Sequence, residues 1–240
     1  MKLHIIMHES FEAPGAIDIW ANKNNFPITY TRLYQGDKLP DSTGSFDYLI
    51  VMGGPQSPAT TLAECPYFNA QAEIDLIAKA VKQNKFVLGV CLGAQLIGEA
   101  LGAKFDHSPN REIGVFELTQ TEDGLKDPVF SAFPKNFPVG HWHGDMPGIT
   151  PEAKILAYSE GCPRQIVRYT PRVYGFQCHF EFTPESIEGM IKNCSDELEK
   201  YKGLPYIETA EILRSHDFSG INGKLFKFLD YISRRFESNK

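Results

Sequence analysis

The chain has 240 residues, 42% of them hydrophobic, and sets 24 Lys and Arg against 30 Asp and Glu for a formal charge of −6. That balance argues against a nucleic-acid partner, whose footprint would be basic, and no apolar stretch approaches the ~20 residues of a membrane span. The opening MKLHIIMHES turns polar at His8, too soon for a secretory signal, and the five cysteines (Cys65, Cys91, Cys162, Cys178, Cys194) are odd in number with no CxxC pair. A cytoplasmic protein with reduced thiols is expected.

Residues 3–9 (LHIIMHE) read as a short buried strand, 14–24 as a helix and 28–34 (ITYTRLY) as an alternating strand. FDYLIVMGG (46–54) is an apolar run ending in two glycines, as in a central parallel strand. Residues 67–84 have helical periodicity, KFVLGVC (85–91) is another buried strand, and a helix follows at once over 92–102, stopped by Gly102. The alternation predicts an α/β fold with an open, mostly parallel sheet flanked by helices. The middle of the chain changes character. AKFDHS, EIGVFELTQT, FPVGHWHG, AKILAYSE, QIVRYT and RVYGFQCHF are short strand candidates between turn residues, and some should pair antiparallel. Thr183 as N-cap and Pro184 at the first helical position open a helix over 185–201. One or two more helices fill 203–240, so that a helical extension covers about 186–240. No linker or low-complexity run interrupts the chain, which predicts one domain over 1–240.

Gly89-Val90-Cys91-Leu92-Gly93 lies where an apolar strand turns directly into a helix. That is the setting of a nucleophile elbow. The following helix N-terminus favours a thiolate, and the Leu92 amide is free to donate to an oxyanion. A nucleophilic cysteine needs a base. In VYGFQCHFEFTPE (173–185), His179 and Glu181 are two apart, on one face if the segment is a strand, where the carboxylate can orient the imidazole. Cys178 should then face the other way. Met52-Gly53-Gly54-Pro55 ends the preceding core strand, at the sheet edge where sites collect, and could supply a second oxyanion donor.

Together the Gly53-Gly54-Pro55 loop, the elbow GVCLGAQ (89–95) and GFQCHFEFTPE (175–185) resemble the class I, or triad, glutamine amidotransferases. The likeness spans roughly residues 45–190. Gln95 completes the family's G-x-C-x-G-x-Q, while Phe180 stands where the usual Q-F-H-P-E has proline. Arg111-Glu112-Ile113-Gly114 and HWHGD (141–145) are similar to the stand-alone, GMP-synthase-like branch.

The resemblance implies a flavodoxin-like architecture and a glutamine-hydrolysing enzyme. It implies a Cys91–His179–Glu181 triad, the amides of Gly54 and Leu92 as oxyanion hole, and Gly53, Gln95 and His143 against the substrate. It implies a γ-glutamyl thioester, and no metal or organic cofactor for this half-reaction. No Ser-Gly-Gly-rich ATP pyrophosphatase loop or Walker motif is present, so the ammonia acceptor is expected elsewhere, on a synthetase subunit. The long tail could dock such a protein or a second copy of the chain. Plant γ-glutamyl peptidases resemble the same branch, which makes γ-glutamyl peptide hydrolysis an alternative. Two further readings are a partner-gated or non-catalytic binding protein, and a metal hydrolase using His141, His143 and Asp145 as H-x-H-x-D.

Overall fold

The structure, a computed structural model, describes residues 1–238; the last two residues of the expected extension lie outside them. The strands are β1 (Leu3–Met7), β2 (Ile28–Arg32), β3 (Tyr48–Val51), β4 (Phe86–Val90), β5 (Asp106–Gln120), β6 (Asn136–Met146), β7 (Lys154–Tyr158), β8 (Ile166–Thr170) and β9 (Val173–Phe176). They form one nine-stranded sheet in the order β2-β1-β3-β4-β9-β8-β7-β5-β6. The half from β2 to β9 is parallel, and the half from β9 to β6 is antiparallel. The helices are α1 (Ala16–Lys23), α2 (Ala70–Lys82), α3 (Leu92–Ala100), α4 (Glu122–Leu125), α5 (Pro184–Asn193), α6 (Ser195–Tyr201), α7 (Ala210–Ser215) and α8 (Ser219–Glu237).

The apolar runs bury both faces of the parallel strands, as the period of two requires. Leu3, Ile5, Tyr48, Ile50, Phe86 and Leu88 meet Trp20 of α1 and Phe228 and Leu229 of α8 on one side. Ile6, Leu49, Val51 and Val87 meet Leu76 and Ile77 of α2 and Leu96 of α3 on the other. The apolar stripe of the tail is therefore spent on the core. None of the helices among the described residues is long and apolar enough to cross a membrane.

Three boundaries differ from those read in the sequence. β5 is one strand of 15 residues, and a register shift against β6 between His107 and Glu112 absorbs the Ser108-Pro109-Asn110 stretch that suggested a break. β9 stops at Phe176, so His179 and Glu181 lie beyond the strand, joined to β6 through a single bridge between His179 and Gly140. The helix expected over 185–201 is divided at Cys194 into α5 and α6. Its start is as expected: Thr183 caps α5, Pro184 is its first residue, and Ser186 completes a capping box.

The carboxyl ends of β1, β3 and β4 converge, with His8, Gly53 and Cys91 following them. The junction at Cys91 is tight. A Cβ on Gly89 would lie 2.2 Å from the Gly93 carbonyl oxygen, and one on Gly93 would lie 2.0 Å from the Val51 carbonyl oxygen. Both partners are backbone and cannot yield cheaply. Gly93→Ala should lower unfolding stability by roughly 3 kcal/mol in urea titration, and an unchanged midpoint would show that α3 can move off β3.

Candidate active site

Cys91 stands at the apex of the β4–α3 turn with φ 51° and ψ −111°, a conformation that costs a non-glycine residue roughly 1–3 kcal/mol. It is held there by its N–H, which donates to the Phe176 carbonyl at 2.7 Å. The side chain is buried, and its thiol donates to the Trp142 carbonyl at 3.7 Å.

His179 and Glu181, although off the strand, keep the expected relation: Nδ1 lies 2.6 Å from Glu181 Oε1, with both residues buried. That contact leaves Nε2 as the working nitrogen. Nε2 is buried with no conventional hydrogen bond, yet it stands near enough to the thiol for each group to shift the other's titration. Two neighbours fix the ring and its backbone. Phe182 stacks on it with centroids 4.3 Å apart and planes 7° from parallel. Asn222 of α8 donates to the carbonyls of Phe180 and Phe182 at 2.8 and 2.9 Å. Phe180, in place of proline, is buried against Phe176 and Phe137, so aromatic packing and the Asn222 amide hold this segment. Cys178 is turned toward the Gln165 carbonyl, 3.7 Å away.

Cys91 and His179 act on each other: the sulfur favours the imidazole's cation, and the imidazole favours the thiolate. Burial disfavours the His179 cation, but Glu181 and Cys91 outweigh it and hold its pKa well above the ordinary imidazole range. Burial pushes the Cys91 thiol up, and the opposing pull of His179 and of the Leu92 amide does not cancel it.

His8 and Glu73 belong to the site although sequence reasoning does not find them. His8 Nδ1 lies 2.9 Å from the Gly53 carbonyl oxygen, and Nε2 lies 2.9 Å from Glu73 Oε2 of α2. Burial opposes charge on His8, but Glu73 and the Gly53 carbonyl outweigh it and raise its pKa, so the ring sits between two acceptors. The Gly53 carbonyl and the Gly54 N–H belong to one trans peptide and point oppositely. Pinning the carbonyl to His8 therefore turns the Gly54 N–H away from His8, on the pocket side where Gly54 is exposed to the cavity. A signal exists for His8: it follows β1 as Gly53 follows β3, at the same sheet edge.

Glu12 has no such signal. It sits on the loop after β1, and a Cβ on Gly53 would lie 2.1 Å from Glu12 Oε2 and 3.3 Å from Cys91 Cβ. Burial pushes this carboxyl up to about 7 against the pull of His179 and His8.

Cys91, Glu12 and Gly54 line a cavity of about 480 Å³. Gln95 lines it, and its amide is oriented by donating to Gln177 Oε1 at 3.1 Å, which leaves Gln95 Oε1 buried and without a partner. His143 and Asp145 are in the wall. Asp145 pairs with His107 at 2.7 Å, so the H-x-H-x-D trio does not share a centre; Glu112 takes the place beside the two histidines. The rim belongs to α6. Glu197 binds Arg111 through one oxygen and accepts from Trp142 Nε1 at 2.8 Å through the other.

A cysteine at a strained strand–helix turn, beside a buried His–Glu pair at the carboxyl edge of a parallel sheet, has the geometry that acyl transfer through a thiol needs. The comparisons narrow that chemistry: residues 8–197 match the family Glutamine amidotransferase class-I, and the chain belongs to that family. It is 49% identical over 233 residues to the glutamine amidotransferase-like protein YfeJ of Salmonella typhimurium, covering 97% of this chain and 98% of that one. It is 28% identical over 159 residues to a glutamine-hydrolysing GMP synthase subunit of Methanococcus maripaludis, covering 63% and 76% of the two chains. The crystal structure of SMU.1228c superposes with a TM-score of 0.95 at 48% identity, over 97% of this chain and all of that one (100%).

Glu12 generates a pH prediction. As pH rises through about 7 the carboxyl ionises, and its negative charge beside Cys91 raises the thiol's pKa further. Glu12→Gln should therefore speed alkylation of Cys91 by iodoacetamide by roughly two- to tenfold above neutral pH and leave it unchanged in acid. Equal rates across the whole range, read by peptide mapping, would show that Glu12 does not reach the thiol electrostatically.

Proposed function

We propose that this protein hydrolyses the side-chain amide of glutamine through Cys91, His179 and Glu181, releasing ammonia for an acceptor on another chain. The observation that carries the proposal is the convergence of the strained Cys91, in the lining of one cavity, with the buried His179–Glu181 pair beside it.

Cys91 Sγ attacks the carboxamide carbon as its proton passes to His179 Nε2, and the imidazolium is stabilised by Glu181. The carbonyl oxygen becomes an oxyanion that accepts from the Gly54 and Leu92 amides, the former oriented by His8. His179 returns the proton to the departing nitrogen, ammonia leaves, and a γ-glutamyl thioester remains on Cys91. Water, deprotonated by His179, cleaves the thioester to glutamate and free thiol. The unpaired carbonyl of Gln95 and the wall at Gly54 and His143 suit a polar substrate that brings its own donors. No metal or organic cofactor enters these steps. The acceptor would be a synthetase subunit, with a second copy of the chain as the other candidate partner, in the cytoplasm.

One observation favours a second reading on the same scaffold. The cavity of about 480 Å³ extends past Cys91 to Arg111, Lys200 and Tyr201, farther than free glutamine needs. A γ-glutamyl peptide would place its leaving amine there.

The test measures glutamate and ammonia release with L-glutamine and γ-glutamyl dipeptides side by side. Turnover of glutamine should fall by roughly 10³-fold or more in Cys91→Ala and by roughly 10²- to 10⁴-fold in Glu181→Gln. Preference for the dipeptides would select the peptidase reading. Turnover that survives Cys91→Ala would remove the triad, and silence on every substrate would favour a partner-gated or non-catalytic binding protein.

A further inference from the structure

The antiparallel half of the sheet holds a polar cluster that the reaction does not use. In the β5–β6 ladder Glu112 pairs with His143, and His141 lies two residues along β6 on the same face. All three side chains are buried. Three of their atoms make a nearly equilateral triangle. Glu112 Oε2 is 3.2 Å from His143 Nε2 and 3.6 Å from His141 Nδ1, and the two nitrogens are 3.5 Å apart.

Proton accounting shows what this triangle lacks. His143 Nδ1 lies 3.2 Å from the Asp145 carbonyl oxygen, which can only accept, so Nδ1 carries the ring proton and Nε2 presents a lone pair. The other nitrogen of His141, Nε2, is buried with no hydrogen-bond partner, and Nδ1 is the nitrogen turned to Glu112. Both inner nitrogens face a carboxylate oxygen. Gln165 is the neighbouring donor, with Nε2 at 2.6 Å from Glu112 Oε2 and 3.1 Å from His143 Nε2. Even so, His141 Nδ1 receives nothing from it, and Gln165 Oε1 and Glu112 Oε1 are buried without partners. Turning the Gln165 amide over exchanges two atoms of nearly equal size and brings its oxygen to this centre as a fourth acceptor. Four acceptors then converge, an arrangement that a bound cation stabilises.

The edge lengths select the cation. Tetrahedral zinc, with bonds of about 2.0–2.1 Å, spaces its ligand atoms about 3.3–3.4 Å apart. An octahedral 2-His-1-carboxylate metal brings adjacent ligands to roughly 3.0 Å. The edges of 3.2, 3.5 and 3.6 Å among the Glu112 and histidine atoms centre on the tetrahedral value, and Gln165, at 2.6 and 3.1 Å from two of them, must draw back by several tenths of an ångström to close the site. His143 also has on its outer nitrogen the backbone-carbonyl partner that metal-bound imidazoles use.

We propose that Glu112, His141 and His143, closed by Gln165, form a structural Zn²⁺ site between β5 and β6. This is not the H-x-H-x-D hydrolytic centre: Asp145 is paired elsewhere, and a closed four-ligand site has no open position for water. Its effect on the active site is indirect. Trp142, between the two ligand histidines, supplies the carbonyl that receives the Cys91 thiol hydrogen, and His143 backs the cavity wall. Metal between β5 and β6 would fix both.

The test is metal content and reconstitution of the full-length chain. Protein from zinc-supplemented growth should carry about one zinc per chain after gel filtration. After extraction with a zinc chelator, Co²⁺ should restore one equivalent with the intense visible absorption of four-coordinate cobalt and no thiolate charge-transfer band. Zinc at a hundredfold excess over its Kd should raise Tm by roughly 5–10 °C. Glu112→Gln and His141→Gln should both lose the metal and the spectrum. Should Glu112→Gln fail to fold, His141→Gln, checked for folding by circular dichroism, decides alone. A chain isolated without metal whose Tm zinc does not move, a cobalt–thiolate spectrum, or full occupancy retained in His141→Gln would each overturn the site.

Discussion

The peptide that joins β4 to α3 can hold Cys91 at φ 51° only because neighbouring backbone leaves it no alternative. Its N–H is taken by the end of β9, and α3 is drawn so close to β3 that Gly93 touches the Val51 carbonyl. A strained residue persists when its surroundings over-determine it, and here the surroundings are the buried strands themselves. The apolar cores on both sheet faces thus perform a positional task. They press helix against sheet, and the resulting turn lifts one sulfur into the cavity with the first amide of α3 beside it.

Charge is arranged around that sulfur in separate layers. Glu181 holds His179 in one tautomer, Glu73 holds His8, and His8 holds the Gly53 peptide. Each carboxylate acts on the site through an imidazole, so negative charge stays one residue removed from the thiol. Glu12 breaks the pattern by lying directly against Gly53 and Cys91. In a buried site such a carboxyl is tolerated because it can hold its proton near neutral pH. The thiol donates to the Trp142 carbonyl, while His179 Nε2 stands close by without a conventional hydrogen bond, as catalytic contacts do before substrate tightens them.

Much of this is legible in the sequence because it rests on local rules. Apolar runs of strand length mark the parallel strands, G-x-C-x-G between a strand and a helix marks the elbow, and Thr183-Pro184 marks the start of α5. What escapes depends on the fold. Spacing alone makes His179 and Glu181 neighbours on a strand face, yet β9 ends three residues before His179, and their contact is made by an irregular segment shaped by Phe182 stacking and Asn222. Glu112 cannot be grouped with His141 and His143 until the β5–β6 register is known, so Asp145, adjacent in sequence, takes its place. The break at Cys194 carries neither Gly nor Pro. It matters nonetheless, because it turns α6 so that Glu197 can reach Arg111 and Trp142 at the rim.

The assignment of Cys91 as nucleophile is the claim on which the functional account stands. Incubation with a glutamine analogue bearing an electrophilic diazoketone, followed by intact-protein and peptide mass spectrometry, addresses it directly. The account predicts a single covalent adduct per chain, located on Cys91 and lost in the presence of excess glutamine. An adduct on Cys178 or Cys162, or labelling that glutamine does not compete, would contradict it.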